Sequence, residues 1–170
     1  AQSSAASASI AVESGTAVAS VDTTANVIVA GTINASQDVT LRATVDNTLL
    51  AIADTSRVKK RLTGAVAVSL LDSDAIAHIQ DTALLNVGGT LLVDASTVDR
   101  NFTLSRTKTD KNLTGVSVAV SDEDGDTQAL VDGTVRVGGN MEVRSRQEKE
   151  SIQKSQLADI PKGVTGVAAA

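Results

Sequence analysis

Short runs in which apolar and polar residues alternate, broken by Gly, Asn and Asp, fill most of the chain. Runs of three to six residues with no sustained 3.6-residue stripe predict strands rather than helices. Successive strand side chains point to opposite sides. In the run around Ala77 the pattern therefore turns Ala77 and Ile79 inward and Ile76, His78 and Gln80 outward. Ala19 with Val21, and Ala129 with Val131, are the matching inward pairs. Residues 146–156 alone have a helix-friendly composition, but too few apolar positions to dock a helix, so an extended or irregular excursion is expected there.

The pattern repeats. Thr63-Gly64, Thr114-Gly115 and Thr165-Gly166 each open a small apolar run, and they fall 51 residues apart. Val66-Ala67-Val68 recurs as Val118-Ala119-Val120, and Ile10-Ala11-Val12 is read as the same triplet in the first unit. A polar corner follows each triplet, at Leu70–Asp74, at Asp122–Asp126 and, in shorter form, at Glu13–Thr16. A Gly-marked turn then leads into a further strand, at 86–95, at 136–145 and more loosely at 35–43. The first unit is read as carrying about six extra residues around Gly31–Ser36. A fixed period of this size marks stacked repeats, each coil covering its neighbour's apolar edge. The predicted fold is all-β, a parallel β-solenoid of about three units spanning 1–62, 63–113 and 114–164, with a fourth starting at 165–170. A unit of this length is expected to make two or three coils. A string of small β-sandwich modules is the alternative architecture.

Composition fits a thin, repeated core. Apolar residues make up 42% of the chain but aromatics only 1%, with one Phe, no Trp, no Tyr and no Cys. Large aromatic side chains ordinarily dominate globular cores, so a deep enzyme-like pocket is not expected. Without Cys there is no disulfide scaffold and no thiol chemistry. The single His78 has no second His to share a metal and is read as a solvated outward side chain. No nucleophile motif surrounds the abundant Ser and Thr. No run is long and apolar enough for a membrane-spanning helix. The small polar start and the end within an apolar pattern suggest a window cut from something longer.

Three stretches carry a family likeness: SVAVSDEDGDTQALVDGTVRVGGNMEVRS at 117–145, VAVSLLDSDAIAHIQDTALLNVGGTLLVDAS at 66–96, and SQDVTLRAT at 36–44. They resemble the β-strand repeats of giant bacterial filamentous surface adhesins, the leukotoxin-like and filamentous-haemagglutinin-like proteins. The resemblance implies a right-handed parallel β-solenoid, exported to the surface of a Gram-negative-type bacterium and associated with its outer membrane. It implies a non-catalytic stalk and contact surface whose partners are a host or neighbouring cell surface, or copies of itself. A filament or sheath subunit assembled by solenoid-solenoid packing is the alternative. An ice- or carbohydrate-binding module would need a fixed Thr or aromatic ladder, which the sequence does not repeat.

Charge sharpens the picture. The net charge of −5 disfavours nucleic acid as a partner. It conceals an alternation: residues 1–41 hold Glu13, Asp22 and Asp38 and no Lys or Arg, whereas 42–62 hold Arg42, Arg57, Lys59, Lys60 and Arg61 against two Asp. The later units continue it, so stacking in register is expected to place an acidic stripe beside a basic one. Such stripes suit lateral self-association or polyanion contact. Two candidate sites follow. Asp122, Asp124 and Asp126, with Gly125 between them, offer closely spaced oxygens to a calcium ion, although Asp and Gly are also ordinary corner residues. Arg57, Lys59, Lys60 and Arg61 form a candidate contact for a polysaccharide, another polyanion or a partner, without an aromatic nearby to stack on a sugar ring; a solvated excursion is the plainer reading. No cofactor is otherwise expected.

Overall fold

The computed structural model describes residues 2–4, 8–12, 15–55, 62–108, 114–158 and 166–169. In chain order these form β1 (Gln2–Ser4), β2 (Ala8–Val12), β3 (Gly15–Val29), β4 (Thr32–Ala35), β5 (Val39–Asp54), β6 (Leu62–Ile79) and β7 (Leu84–Val87). Then come β8 (Leu91–Lys108), β9 (Thr114–Asp124), β10 (Thr127–Val131), β11 (Thr134–Val137), β12 (Met141–Ala158) and β13 (Gly166–Ala169). The fold is all-β with parallel strands. Among the described residues no helix is long and apolar enough to cross a membrane.

The strands stack by equivalent position into three sheets. One holds β3, β6, β9, β10 and β13; a second holds β1, β2, β5, β8 and β12; a short third holds β4, β7 and β11. The strands of the first sheet carry no Lys or Arg, and those of the second carry most of the arginines, so they are called here the acidic and arginine sheets. Each unit therefore makes one circuit: up the acidic sheet, across the short sheet, down the arginine sheet. The expectation of two or three coils per unit is corrected on this point. A circuit this long is filled by strands of up to 18 residues, such as β8 and β12, which pair over their full length.

Register corrects further details. Ile10-Ala11-Val12 pairs with Ala51-Ile52-Ala53 in the arginine sheet, so β1 and β2 stack as part of a preceding circuit. The partner of Val66-Ala67-Val68 in the first unit is Thr16-Ala17-Val18. Of the corner proposed at Glu13–Thr16, Glu13 and Ser14 lie outside the described residues and Gly15 and Thr16 open β3, whereas Leu70–Asp74 lies inside the continuous β6. No six-residue insertion occurs near Gly31, since Thr32–Ala35 pairs directly with Leu84–Val87. The extra residues lie in the second circuit, in the turn at 80–83, where Gln80 N–H donates to Val29 O at 2.8 Å and Ala83 N–H to Gln80 O at 2.9 Å. Partners along β6 and β9 are 52 apart, so Thr63 opposes Gly115, one position off the Thr-Gly spacing. The stretch at 146–156 is regular strand throughout, paired with Ser96–Arg106.

The interior has two zones. Near the short sheet Val45, Ile79, Leu85, Leu91 and Val93 form a core of large side chains. Ala77 and Ile79 are fully buried, as alternation requires, and Ala129 and Val131 pack beside them. Towards the other end the interior shrinks to Ala17, Ala19, Ala51, Ala53, Ala65 and Ala67, with Leu49 and Leu71. There the facing sheets come so close that the Ser105 hydroxyl donates to the Ala65 carbonyl across the gap at 2.7 Å. Close approach of neighbouring backbone dictates glycine at several turns, Gly125 and Gly138 among them. A Cβ on Gly125, whose φ is +132°, would lie 2.2 Å from the Ser73 carbonyl oxygen. One on Gly138 would lie 2.4 Å from that of Gly88 in the circuit beside it.

Candidate functional site

The acidic sheet displays its aspartates outward. Asp22, Asp72 and Asp124 are register partners across three strands, and Thr24, Asp74 and Asp126 fall in the next outward row, because β6 and β9 keep the same offset through the break at Gly125. Asp122, Asp124 and Asp126 are all exposed. Asp124 Oδ1 accepts the Gly125 N–H at 2.8 Å, Asp126 N–H donates to Asp74 Oδ1 at 2.8 Å, and Gln128 Nε2 donates to Asp126 Oδ2 at 3.4 Å. Alternate residues of a strand stand about 7 Å apart, which spreads these carboxylates along a row rather than around a point. Among the described residues no three His, Cys, Asp or Glu side chains gather as a metal cradle.

Like charges directly opposite one another across strands repel. Partial desolvation first, then Asp74, Asp22 and Asp124, push the Asp72 carboxyl above its ordinary value. A folded-state value raised in this way contributes stability below the unfolded value near pH 4 and loses it as the pH rises through the folded one. Asp72→Asn is therefore expected to stabilise the protein at pH 7 by a few tenths of a kcal/mol. Chemical denaturation at several pH values checks this, and a variant less stable than the parent at pH 7 contradicts it. The gap should close on acidification and on adding salt.

The outer face of the arginine sheet is paired rather than repelled. Asp94, itself 8% exposed, lies between two register partners, Arg42 and Arg144. Arg42 Nε reaches its Oδ2 at 2.9 Å and Arg144 Nε its Oδ1 at 2.8 Å. The Asp94 carboxylate raises the Arg144 guanidinium above its ordinary value. Arg100 meets Asp46 at 3.0 Å. Arg57, Lys59, Lys60 and Arg61 lie outside the described residues. His78, read from sequence as solvated, is partly covered, and its Nε2 lies 2.8 Å from Asp132 Oδ2.

Sequence reasoning missed a buried polar belt that separates the two apolar zones. Thr23, Asn47, Ser73 and Asp99 meet inside the stack: Asn47 Nδ2 donates to Ser73 Oγ at 2.7 Å, and Ser73 Oγ donates to Asp99 Oδ1 at 2.8 Å. Asn47 Nδ2 lies 3.4 Å from the same oxygen. The register partner of Asp99 in the third circuit is Lys149. Asn101 Nδ2 donates to Ser121 Oγ at 2.7 Å, which sets Asp99 across the interior from Glu123. Asp99 Oδ2, Asn101 Oδ1 and Glu123 Oε1 are buried without a hydrogen-bond partner. Burial raises the Asp99 carboxyl above its ordinary value, against the opposing pull of Ser73, Asn47 and Lys149. The signal lay in the run Thr97, Asp99, Asn101, Thr103, Ser105, Thr107, where the polar face of the alternation turns inward.

No family model matches the chain, and no curated protein or solved structure matches it either. The geometry of the faces therefore carries the functional reading.

Proposed function

We propose that the chain is a segment of a parallel β-solenoid in a large extracellular bacterial adhesin, where it serves as a stiff stalk and contact surface and performs no chemistry. The observation that carries this is the unbroken 18-residue parallel pairing of β8 with β12, matched over 16 residues by β5 with β8 one circuit earlier. Each circuit lies on the next in register, so the stack can lengthen without changing its cross-section. Side chains lie in rows along the outer faces, a form suited to contact with another surface and not to enclosing a small substrate. The likeness of residues 66–96 and 117–145 to filamentous adhesin repeats supports an exported, outer-membrane-associated setting and a cell surface as partner.

Immunogold electron microscopy with antibodies to the chain, combined with Fab blocking of cell attachment, tests this reading. Label on surface projections and attachment reduced by the Fab are expected. Label confined to the cytoplasm would overturn it. Label on a continuous casing around cells that attach normally would replace it with a structural sheath.

A further inference from the structure

Parallel sheets are ordinarily covered on both faces, yet in the thin half of this stack the order of side-chain size is inverted. Ala17, Ala67 and Ala119 form one row inside, and the next positions, Val18, Val68 and Val120, form one row outside. On the opposite outer face Leu50, Phe102 and Ile152 form another row, with Leu104 beside it. Val18, Leu70, Val120 and Ile152 are each between 41% and 50% exposed. Apolar rows of this kind on two outer faces mark an interaction surface.

Contacts through the interior fix how the two faces align. Ser69 bonds Thr103 and Ser73 bonds Asp99 across the gap, so Leu70 stands back to back with Phe102, and Asp72 with Arg100. Val68 and Leu104 share the adjacent height. We propose that the outer face of the acidic sheet of one molecule packs on the outer face of the arginine sheet of a second copy held in the same orientation. A simple displacement perpendicular to the sheets then sets Leu70 against Phe102, Val68 against Leu104 and Asp72 against Arg100. Copies in one orientation share one sheet twist, so the facing strands stay aligned, as stacked sheets require. Arg100 already meets Asp46, but its side chain is 41% exposed, and a guanidinium can bridge two carboxylates. By the same register Asp22 comes to face Thr48 and Asp124 to face Glu150, so the ion pair belongs to the middle circuit, whereas packing acidic face on acidic face would bring whole aspartate rows together. The arrangement is head-to-tail and open-ended, so it grows into a lateral array. It needs only these two faces and not the attachment role proposed above.

The test uses the purified chain and two variants that the repeat itself shows to be tolerable. Ser20 and Asp122 occupy the row of Leu70, and Lys154 that of Leu104. Leu70→Asp blocks the acidic face and Leu104→Glu the arginine face. By light scattering after gel filtration, the parent is expected to associate with rising concentration and each variant alone to stay monomeric. Their mixture is expected to form a one-to-one dimer, because each keeps the face the other lacks. The chain has no Cys, so oxidising a mixture of Asp72→Cys and Arg100→Cys is expected to give a cross-linked pair that neither gives alone. A monomeric parent, oligomers unaffected by either variant, a mixture that stays monomeric, or cross-linking of Asp72→Cys by itself would each overturn the proposal.

Discussion

Replacing Ala67 with Leu is expected to destabilise the protein by about 3 kcal/mol, the upper end of the usual cost of overpacking a core. Ala67 is 0% exposed, and its register partners on either side are Ala17 and Ala119. In the same zone a serine hydroxyl already bonds the backbone across the gap, so three extra carbons have no space unless the sheets part. The neighbouring Val68→Thr, on the outer face, is expected to change stability by under about 0.5 kcal/mol. Equilibrium denaturation of the pair measures both. Equal, small effects would show that the interior is not closed around alanine.

Asp99→Asn is expected to stabilise the protein at pH 7 by about 1–3 kcal/mol, the scale of a buried polar atom left unpaired. Asp99 is 1% exposed and its Oδ2 has no partner. An asparagine keeps an acceptor for Ser73 and places a donor where the other unpartnered atoms, on Asn101 and Glu123, are acceptors. Because burial raises the folded-state value of Asp99, the parent loses stability as the pH rises from about 4 through that value. The variant lacks this loss, so the two curves should converge near pH 3. Thermal unfolding of both proteins across that range provides the check, and an Asn variant weaker than the parent at neutral pH would refute the account.

Alternation was readable from the sequence, and so was the all-β class with parallel strands. The burial of Ala77 and Ile79 and the pairing of 86–95 with 136–145 follow from spacing alone. Register was harder, since Ile10-Ala11-Val12 and Thr16-Ala17-Val18 are equally good strands and only contacts decide which sheet each joins. The Thr-Gly spacing was right in one place and misleading in another: Gly166 does oppose Gly115, but Thr63 opposes Gly115, one position off the ladder. The polar belt was hidden for a different reason. Outside stand Val98, Phe102 and Leu104, inside Thr97, Asp99 and Thr103, so the rule that the apolar face turns inward points the wrong way. The acidic row was legible as a cluster of Asp, but its repulsion depends on three strands being neighbours.

The single long circuit also sets how such a stack yields under load. Pulling along the stacking direction strains the backbone hydrogen bonds that join one circuit to the next, and the outermost circuit has neighbours on one side only. Detachment therefore begins at an end and frees a whole circuit of about 50 residues, which extends to roughly 170 Å. A fibre of these units would lengthen in large, nearly equal steps, behaving as a tether that dissipates sudden tension while the remaining circuits keep their form.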